Sequence, residues 1–151
     1  MIKIICVGKI KENYLKEAIN EYQKRLQKYD KVQIIEVPDS KLDVPTLALD
    51  EEKEHILKQI SNKEYLITLE IEGKELSSTE LSSKLENLYQ NYSTITFIIG
   101  GSHGIHKEIK EKSNFSLSFS KMTFPHQLFR VLLLEQIYRS YKIIKNESYH
   151  K

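Results

Sequence analysis

The alternation of strand-like and helix-like segments is the feature that most constrains the fold of this chain. Short apolar runs rich in β-branched residues alternate with segments whose apolar residues recur at helical spacing. Parallel neighbours need a crossover, usually a helix, so this order predicts an α/β fold, a mainly parallel sheet with helices on both faces. The predicted strands are Met1–Val7, Val32–Val37, Glu64–Ile71, Thr94–Ile99 and Phe115–Ser118. The predicted helices are Glu12–Tyr29, Asp43–Ser61, Ser77–Asn91, Ile105–Lys112 and His126–Lys145.

Length and charge narrow the class of protein. A chain of 151 residues without an internal repeat or linker is expected to form one domain over residues 1–151. The net charge is only +2, so any contact with nucleic acid must come from local patches. The apolar run at the N-terminus is too short for a signal peptide, and we expect a cytoplasmic protein.

A single cysteine, Cys6, excludes an intrachain disulfide and a cysteine-based zinc cluster. It lies within an apolar strand, where a buried thiol is expected rather than a nucleophile. His103 and His106 are three residues apart but lack a third ligand nearby, so we interpret them as surface histidines. No metal site is predicted.

A glycine cluster, "IIGGSHG", follows the fourth predicted strand. Its spacing matches neither the G-x-G-x-x-G dinucleotide fingerprint nor the Walker A loop. In doubly wound sheets, ligands bind beyond the carboxyl ends of the strands, so the loops after Leu69, Ile99 and Ser118 are the first candidates for a site. Gly100 and Gly101 would allow a ligand to approach the backbone closely. A tight turn without a ligand explains the cluster equally well.

The loop Phe119–Phe124 precedes Pro125 and has neither strand nor helix periodicity. The helix after it is apolar around nearly its whole circumference, unlike a surface helix with one apolar stripe. Burial in a homodimer is the simplest explanation, and a fully internal helix is the alternative. On this helix, Glu135 and Arg139 fit an i,i+4 ion pair, whereas Arg130 and Arg139 point about 180° apart.

These motifs together resemble one protein family. The segments "VGK", "ITLEIEGK", "FIIGGSHG", "LSFSKMTFPHQLFRVLLLEQIYRSYKI" and the terminal "YHK" are similar, in order and position, to those of the RlmH family. These are SPOUT-class methyltransferases that modify N3 of a pseudouridine in large-subunit (23S) ribosomal RNA. The resemblance covers essentially the whole chain, although the segment "DSKLDVPTLALDEE" looks short.

The resemblance implies a C-terminal knot, a homodimer formed through the last helix, and S-adenosyl-L-methionine as the cofactor. It also implies which residues would bind that cofactor. They are Leu69, Gly100, Phe119, Ser120, Lys121, Met122, Thr123 and Phe124.

Methylation of a pseudouridine at N3 requires loss of a weakly acidic proton, which needs a base or stabilisation of the developing charge. We predict His150, Tyr149 and Arg139 as catalytic residues, with His150 as the base, and expect the tail that carries His150 and Tyr149 to lie near the pocket. The predicted RNA-binding residues are Arg130, Arg139, Lys142 and Tyr149. With so little net charge, we expect the protein to recognise an assembled ribosome. A flavodoxin-like nucleotide-binding protein and a non-catalytic ribosome-associated factor remain as alternatives.

Overall fold

Five strands and five helices alternate along the chain, as the sequence predicts. The computed structural model describes residues 1–151. The strands are β1 (Ile2–Val7), β2 (Val32–Val37), β3 (Tyr65–Glu75), β4 (Ile95–Ile99) and β5 (Phe115–Ser118). The helices are α1 (Asn13–Leu26), α2 (Pro45–Leu57), α3 (Ser78–Leu88), α4 (Lys107–Lys112) and α5 (His126–Ile144).

The strands form one sheet in the order β2-β1-β4-β3-β5, and all four neighbouring pairs are parallel. The predicted parallel α/β architecture is therefore confirmed. The first, third and fifth helices cover one face of the sheet and share a large apolar core with it. The second and fourth helices cover the opposite face with a smaller core. All carboxyl ends of the strands consequently meet at one edge, where the ligand sites of such sheets lie.

Local signals in the sequence account for where several elements begin. Ser77 and Glu80 form the predicted capping box at the start of α3. Pro45 occupies the first turn of α2, so that helix starts two residues later than predicted. His106 caps α4 through its ring, which shortens that helix to Lys107–Lys112.

Strand β3 is longer than predicted and is interrupted by a bulge. Leu117 of β5 pairs with both Leu69 and Lys74, so residues 70–73 project out of the ladder. Gly73 makes this possible, because a Cβ at that position would lie 2.8 Å from the carbonyl of Ser116. The bulge places side chains of β3 at the carboxyl edge of the sheet, where they face the site described below.

The long helix α5 packs against α1 and α3. The chain itself buries Leu133, Leu134 and Ile137, which belong to the larger core. Leu128 nevertheless remains 38% exposed, and Val131 and Leu132 are half-buried. The helix is thus neither fully internal nor an ordinary surface helix. No helix of the structure is both long enough and apolar enough to cross a membrane.

Candidate active site

A cavity of about 350 Å³ opens at the carboxyl ends of β3, β4 and β5. This volume lies within the range of small-molecule sites. The three loops that the sequence singled out, after Leu69, Ile99 and Ser118, all contribute to its walls. The beginning of α5 closes the fourth side with His126 and Phe129.

Seven of the eight residues predicted to bind the cofactor line this cavity, and Lys121 is exposed and does not. The residues that line it are Leu69, Gly100, Phe119, Ser120, Met122, Thr123 and Phe124. The cavity also has walls that sequence reasoning missed, formed by Glu70, Ile71 and Glu72 of the β3 bulge and by Lys110. The glycine in "EIEGKE" could have indicated them, since an isolated glycine in a strand pattern suggests a bulge.

The glycine loop folds back on itself through a bridge between Gly101 and Gly104. The amide of Gly104 donates a hydrogen bond to the Gly101 carbonyl over 3.1 Å, and Gly104 adopts a φ of +82°. Gly100 is held so closely that a Cβ there would lie 2.3 Å from the Gly104 carbonyl oxygen. The turn is therefore specific to glycine, and its backbone forms part of the cavity wall.

The two histidines beside this loop have different surroundings. His103 is exposed, as interpreted from the sequence, and it also lines the cavity. His106 does not line the cavity, and its Nδ1 accepts the Glu108 amide over 2.9 Å. Its Nε2 lies 2.8 Å from an Asp50 carboxylate oxygen. Both ring nitrogens of His106 are thus occupied by structural contacts.

The loop 119–124 is ordered by its own polar atoms and by aromatic packing. The Ser118 hydroxyl donates to the Ser120 carbonyl over 3.0 Å, and the Met122 amide donates to the Ser120 hydroxyl over 3.0 Å. Phe119 and Phe124 pack against Phe129 with ring centroids 4.7 and 6.0 Å away. These contacts attach the loop to α5 and leave the Met122 side chain 74% exposed at the surface.

One carboxylate, Glu70, anchors the bulged wall. Its Oε2 accepts hydrogen bonds from the Thr68 hydroxyl over 2.7 Å and from the Ser116 hydroxyl over 2.6 Å. Lys110 lies 3.4 Å from its other oxygen. Burial raises the pKa of Glu70, but the hydrogen bonds and the lysine charge outweigh burial and leave the pKa below its usual value.

Replacing Glu70 with glutamine is expected to change the dependence of stability on pH. A carboxyl with a lowered pKa in the folded state contributes stability above its unfolded pKa of about 4.3, and that stability is lost as the pH falls through the folded pKa. Glu70→Gln should therefore lower the urea midpoint at pH 7 and reduce its further fall towards about pH 3. Glu72→Gln is the matched control, because that neighbouring side chain is 74% exposed. If the urea midpoints of wild type and Glu70→Gln depended on pH in the same way, the lowered pKa of Glu70 would be contradicted.

Arg130 is buried inside the protein, although the sequence analysis predicted that it contacts RNA. Its side chain is 1% exposed, and its guanidinium donates to a Glu36 carboxylate oxygen over 2.6 Å and to the Gly8 carbonyl over 2.6 Å. A third hydrogen bond reaches the Val7 carbonyl over 3.3 Å. A guanidinium enclosed in this way cannot reach a phosphate at the surface, so Arg130 instead fastens α5 to the end of β1.

The remaining predicted residues lie at the opposite end of α5. Arg139 forms the predicted pair with Glu135 over 2.6 Å, and its guanidinium lies 4.7 Å from the centroid of the Tyr149 ring. Arg139 also donates to Nδ1 of His150 over 3.2 Å. These three predicted catalytic residues, Arg139, Tyr149 and His150, therefore form one cluster.

That cluster is not beside the cavity of the same chain. Ten residues of helix separate Phe129 from Arg139, a distance of about 15 Å along the axis. Asn146, with a φ of 55°, turns the chain after α5. Glu147 then accepts hydrogen bonds from Tyr29 over 2.5 Å and Lys142 over 2.7 Å. The expectation of a tail near the pocket is therefore wrong within one chain.

The contacts of Glu147 also define the environment of Lys142. Hydrogen bonds from Lys142 and Tyr29 lower the pKa of Glu147 to about 2. The same hydrogen bond raises the pKa of Lys142. Because its amine is engaged by Glu147, Lys142 is less available to RNA than the sequence suggested.

Two further features concern the cysteine of the chain and its possible metal ligands. Cys6 is buried, and burial raises the pKa of its thiol to about 12, so the thiolate needed of a nucleophile is not formed at neutral pH. No group of three or more histidine, cysteine, aspartate or glutamate side chains is arranged to hold a metal ion.

Comparisons with known proteins give the same family as the sequence motifs. Residues 1–150 match the family model described as "Predicted SPOUT methyltransferase". The chain is 57% identical to the putative ribosomal RNA large subunit methyltransferase H of Methanococcus maripaludis and 54% identical to that of Methanococcus vannielii. Each alignment covers 99% of both proteins.

The fold also resembles a solved structure of low sequence similarity. A probable methylase family protein from Haemophilus influenzae superimposes with a TM-score of 0.59 at 15% identity. The match covers 99% of this chain and 70% of the other. It supports the architecture of the sheet and helices.

Proposed function

Because the chain belongs to the SPOUT methyltransferase family, and within it to the RlmH family, we propose that it methylates N3 of a pseudouridine in 23S ribosomal RNA with S-adenosyl-L-methionine as the methyl donor. The single observation that carries this proposal is the cavity between the glycine loop, the β3 bulge and the loop 119–124. The names of the two Methanococcus relatives support a large-subunit rRNA substrate. Family membership also implies the C-terminal knot. We propose that residues 1–151 act as one catalytic domain in the cytoplasm, where ribosomes are found.

The walls of the cavity suit the proposed cofactor. Leu69, Ile99 and Leu117 provide an apolar surface against which an adenine ring can lie. Because Gly100 has no Cβ, the turn can close on Gly104, and its backbone then forms part of the cavity wall. Glu70 and Glu72 on the bulge share one cation, Lys110, so this wall keeps one excess negative charge, which favours the positively charged donor over an anionic nucleotide.

When bound, the cofactor supplies an electrophilic methyl group, and the residues of the chain must do the rest. They must hold the target nitrogen in line with that methyl group and assist the loss of the N3 proton. The cluster of Arg139, Tyr149 and His150 has the groups for this work. Arg139 offers a positive charge for the negative charge that develops on a uracil oxygen.

The contact between Arg139 and His150 refines the predicted role of His150. Arginine can only donate, so Nδ1 of His150 accepts and Nε2 carries the proton in the neutral ring. In this arrangement Nε2 can donate a hydrogen bond to a uracil oxygen. His150 can act as the base only after its contact with Arg139 breaks and Nδ1 becomes free.

We propose that a homodimer brings this cluster to the cavity. The two sites lie at opposite ends of α5, and an antiparallel contact between two copies of α5 would place the cluster of one chain beside the cavity of the other. Leu128, Val131 and Leu132 leave apolar surface on this helix for such a contact. Each active site would then combine the cofactor residues of one chain with Arg139, Tyr149 and His150 of its partner.

Dimers that combine two defective chains test this arrangement. One chain carries Leu69→Trp, which fills the cavity, and the other carries Arg139→Ala. If sites are shared, one of the two sites in the mixed dimer is intact, and we expect about half of the wild-type rate. The measurement is methyl transfer by mixed dimers purified through two different affinity tags.

The matched control pairs a wild-type chain with a chain carrying both substitutions. Shared sites make this dimer inactive, because each site then contains one defect. If each chain held a complete site, the results would be reversed, with the control at half activity and the first mixed dimer inactive.

The proposed function itself is tested by methyl transfer from labelled S-adenosyl-L-methionine to ribosomes and to free rRNA. We expect labelling of one pseudouridine, with ribosomes the better substrate. Calorimetry with S-adenosyl-L-methionine, flavin mononucleotide and ATP separates the proposal from a flavodoxin-like binder, which would prefer the flavin. Cofactor binding without any transfer would instead favour a non-catalytic ribosome-associated factor.

A further inference from the structure

The loop that leaves the carboxyl end of β1, residues 8–12, lies beside the cavity. Gly8 has a φ of +90°, and a Cβ on it would lie 3.9 Å from Nε2 of His126, a residue of the cavity wall. Gly101 of the opposite wall is equally close to this region, since a Cβ there would lie 3.0 Å from a methyl group of Val7. The loop therefore forms part of the rim at which a substrate of this site arrives.

Polar contacts, two of them buried, fix the path of this loop. Arg130 donates to the carbonyls of Val7 and Gly8, and the Gly8 amide donates to the Val37 carbonyl over 2.9 Å. The amide of Ile10 donates to Glu36 over 2.9 Å, and Ile10 packs against the larger core. The loop is thus a firm support rather than a loose connection.

The outward side of the loop carries two exposed lysines that have no acidic partner. Lys9 and Lys11 are exposed on either side of the inward-facing Ile10, and neither has a carboxylate within 4.0 Å. Unpaired lysines on a rigid rim are suited to phosphate groups, because no internal ion pair must be broken. This is the kind of local patch that a chain of low net charge needs to bind RNA.

Tyr14, in the first turn of α1 directly after the loop, differs from every other tyrosine of the chain. Eight of the nine tyrosines pack against another aromatic ring, but Tyr14 does not. Its side chain is 67% exposed. A large ring that the fold leaves in solvent beside two lysines has the composition of a base-stacking platform.

We propose that residues Lys9, Lys11 and Tyr14 form an RNA-binding rim, with Tyr14 stacked on an unpaired base near the target and the two lysines on adjacent phosphates. This inference rests on the proposed function for the identity of the RNA. It assigns to surface residues the role that the buried Arg130 cannot perform, and it gives Arg130 the task of holding the rim in place.

The test measures binding to large ribosomal subunits and steady-state methyl transfer in parallel. Tyr14→Ala is expected to weaken RNA binding about 5- to 150-fold, as for loss of one stacked base, whereas Tyr14→Phe should retain most of it. Lys9→Ala/Lys11→Ala should raise the KM for subunits and reduce the slope of log affinity against log salt by about 1.5. Affinity for S-adenosyl-L-methionine should not change in any of these variants.

The matched control removes two lysines from the opposite edge of the sheet. Lys58 and Lys63 are exposed and lie between α2 and the start of β3, far from the cavity, so Lys58→Ala/Lys63→Ala makes the same change in net charge. Wild-type KM and salt slope are expected for this control. If both double variants weaken binding equally, general charge is responsible and the RNA-binding rim is overturned.

A photo-crosslinking analogue of phenylalanine in place of Tyr14 identifies what the rim contacts. Crosslinking to rRNA in large subunits is expected, and crosslinking to a ribosomal protein, or to nothing, would overturn the inference. The outcomes separate it from the proposed function. If the variants weaken RNA binding but the wild-type protein transfers no methyl group, the proposed function alone is refuted. If Tyr14→Ala and Lys9→Ala/Lys11→Ala transfer the methyl group fully at the wild-type KM, the RNA-binding rim alone is refuted.

Discussion

Gly100→Ala is expected to abolish binding of S-adenosyl-L-methionine and to destabilise the protein by about 3 kcal/mol. A Cβ at this position would lie 2.3 Å from the Gly104 carbonyl oxygen and 2.9 Å from a side-chain carbon of Ile105. Backbone atoms cannot yield as a flexible side chain can, so the turn must open. Because that turn is a wall of the cavity, its opening removes the shape to which we propose that the cofactor binds.

Calorimetric titration with the cofactor and urea unfolding would measure the two effects of Gly100→Ala. Gly104→Ala is the matched control. A Cβ on Gly104 meets nothing within 4 Å, and the only cost is the strain of a φ of +82°, about 1 to 2 kcal/mol. This variant should therefore still bind the cofactor. If Gly100→Ala bound it as tightly as wild type, the glycine loop would not be a wall of the cofactor site.

Arg130→Met is expected to lower the free energy of unfolding by about 3 to 5 kcal/mol. Methionine fills much of the same space but cannot donate to Glu36 or to the carbonyls of Val7 and Gly8. The carbonyls of Val7 and Gly8 are buried acceptors and would keep their desolvation penalty without a donor, whereas Glu36 is 37% exposed and can turn to water. Urea denaturation of the two proteins at pH 7 would measure the difference.

An exposed arginine provides the comparison for Arg130. Arg25 pairs with Glu21 across one turn of α1, and their side chains are 41% and 53% exposed. Arg25→Ala should cost less than about 1 kcal/mol, because solvent screens such pairs. A similarly small loss for Arg130→Met would mean that its buried contacts contribute little to the attachment of α5 to β1.

The effect of Arg130→Met on RNA should be indirect. The substitution releases the carbonyls that hold the loop after β1, so the lysines of the RNA-binding rim would lose their fixed positions. In the protein that stays folded, the affinity for ribosomal subunits should fall further below its wild-type value than the affinity for the cofactor. Arg130 would thus influence the binding of RNA without contacting the RNA.

Strands and helix caps could be predicted from the sequence, whereas the bulge in β3 could not. The apolar periods of β1, β2 and β4 and the capping box at Ser77 follow from local rules, and the structure confirms them. The bulge in β3 depends on the fit of Gly73 against Ser116, which are distant in sequence. For this reason, Glu70 and Glu72 were not recognised as part of the cavity.

The same limit applies to the charged residues of α5. Helical geometry alone predicts that Arg130 and Arg139 face opposite directions and that Arg139 pairs with Glu135. It gives no information on what each face meets, so a buried arginine and a surface arginine look the same in the sequence. Only the packing of α5 against the end of β1 identifies Arg130 as the buried one.

The sequence by itself determined the order of strands and helices, the position of the site at the carboxyl ends of the strands, and the family, because these depend on local periodicity and on motifs. The tertiary structure alone decided that the cavity and the cluster of Arg139, Tyr149 and His150 lie at opposite ends of one helix. Distances between residues remote in sequence arise from packing, and packing is fixed only when all the elements are assembled.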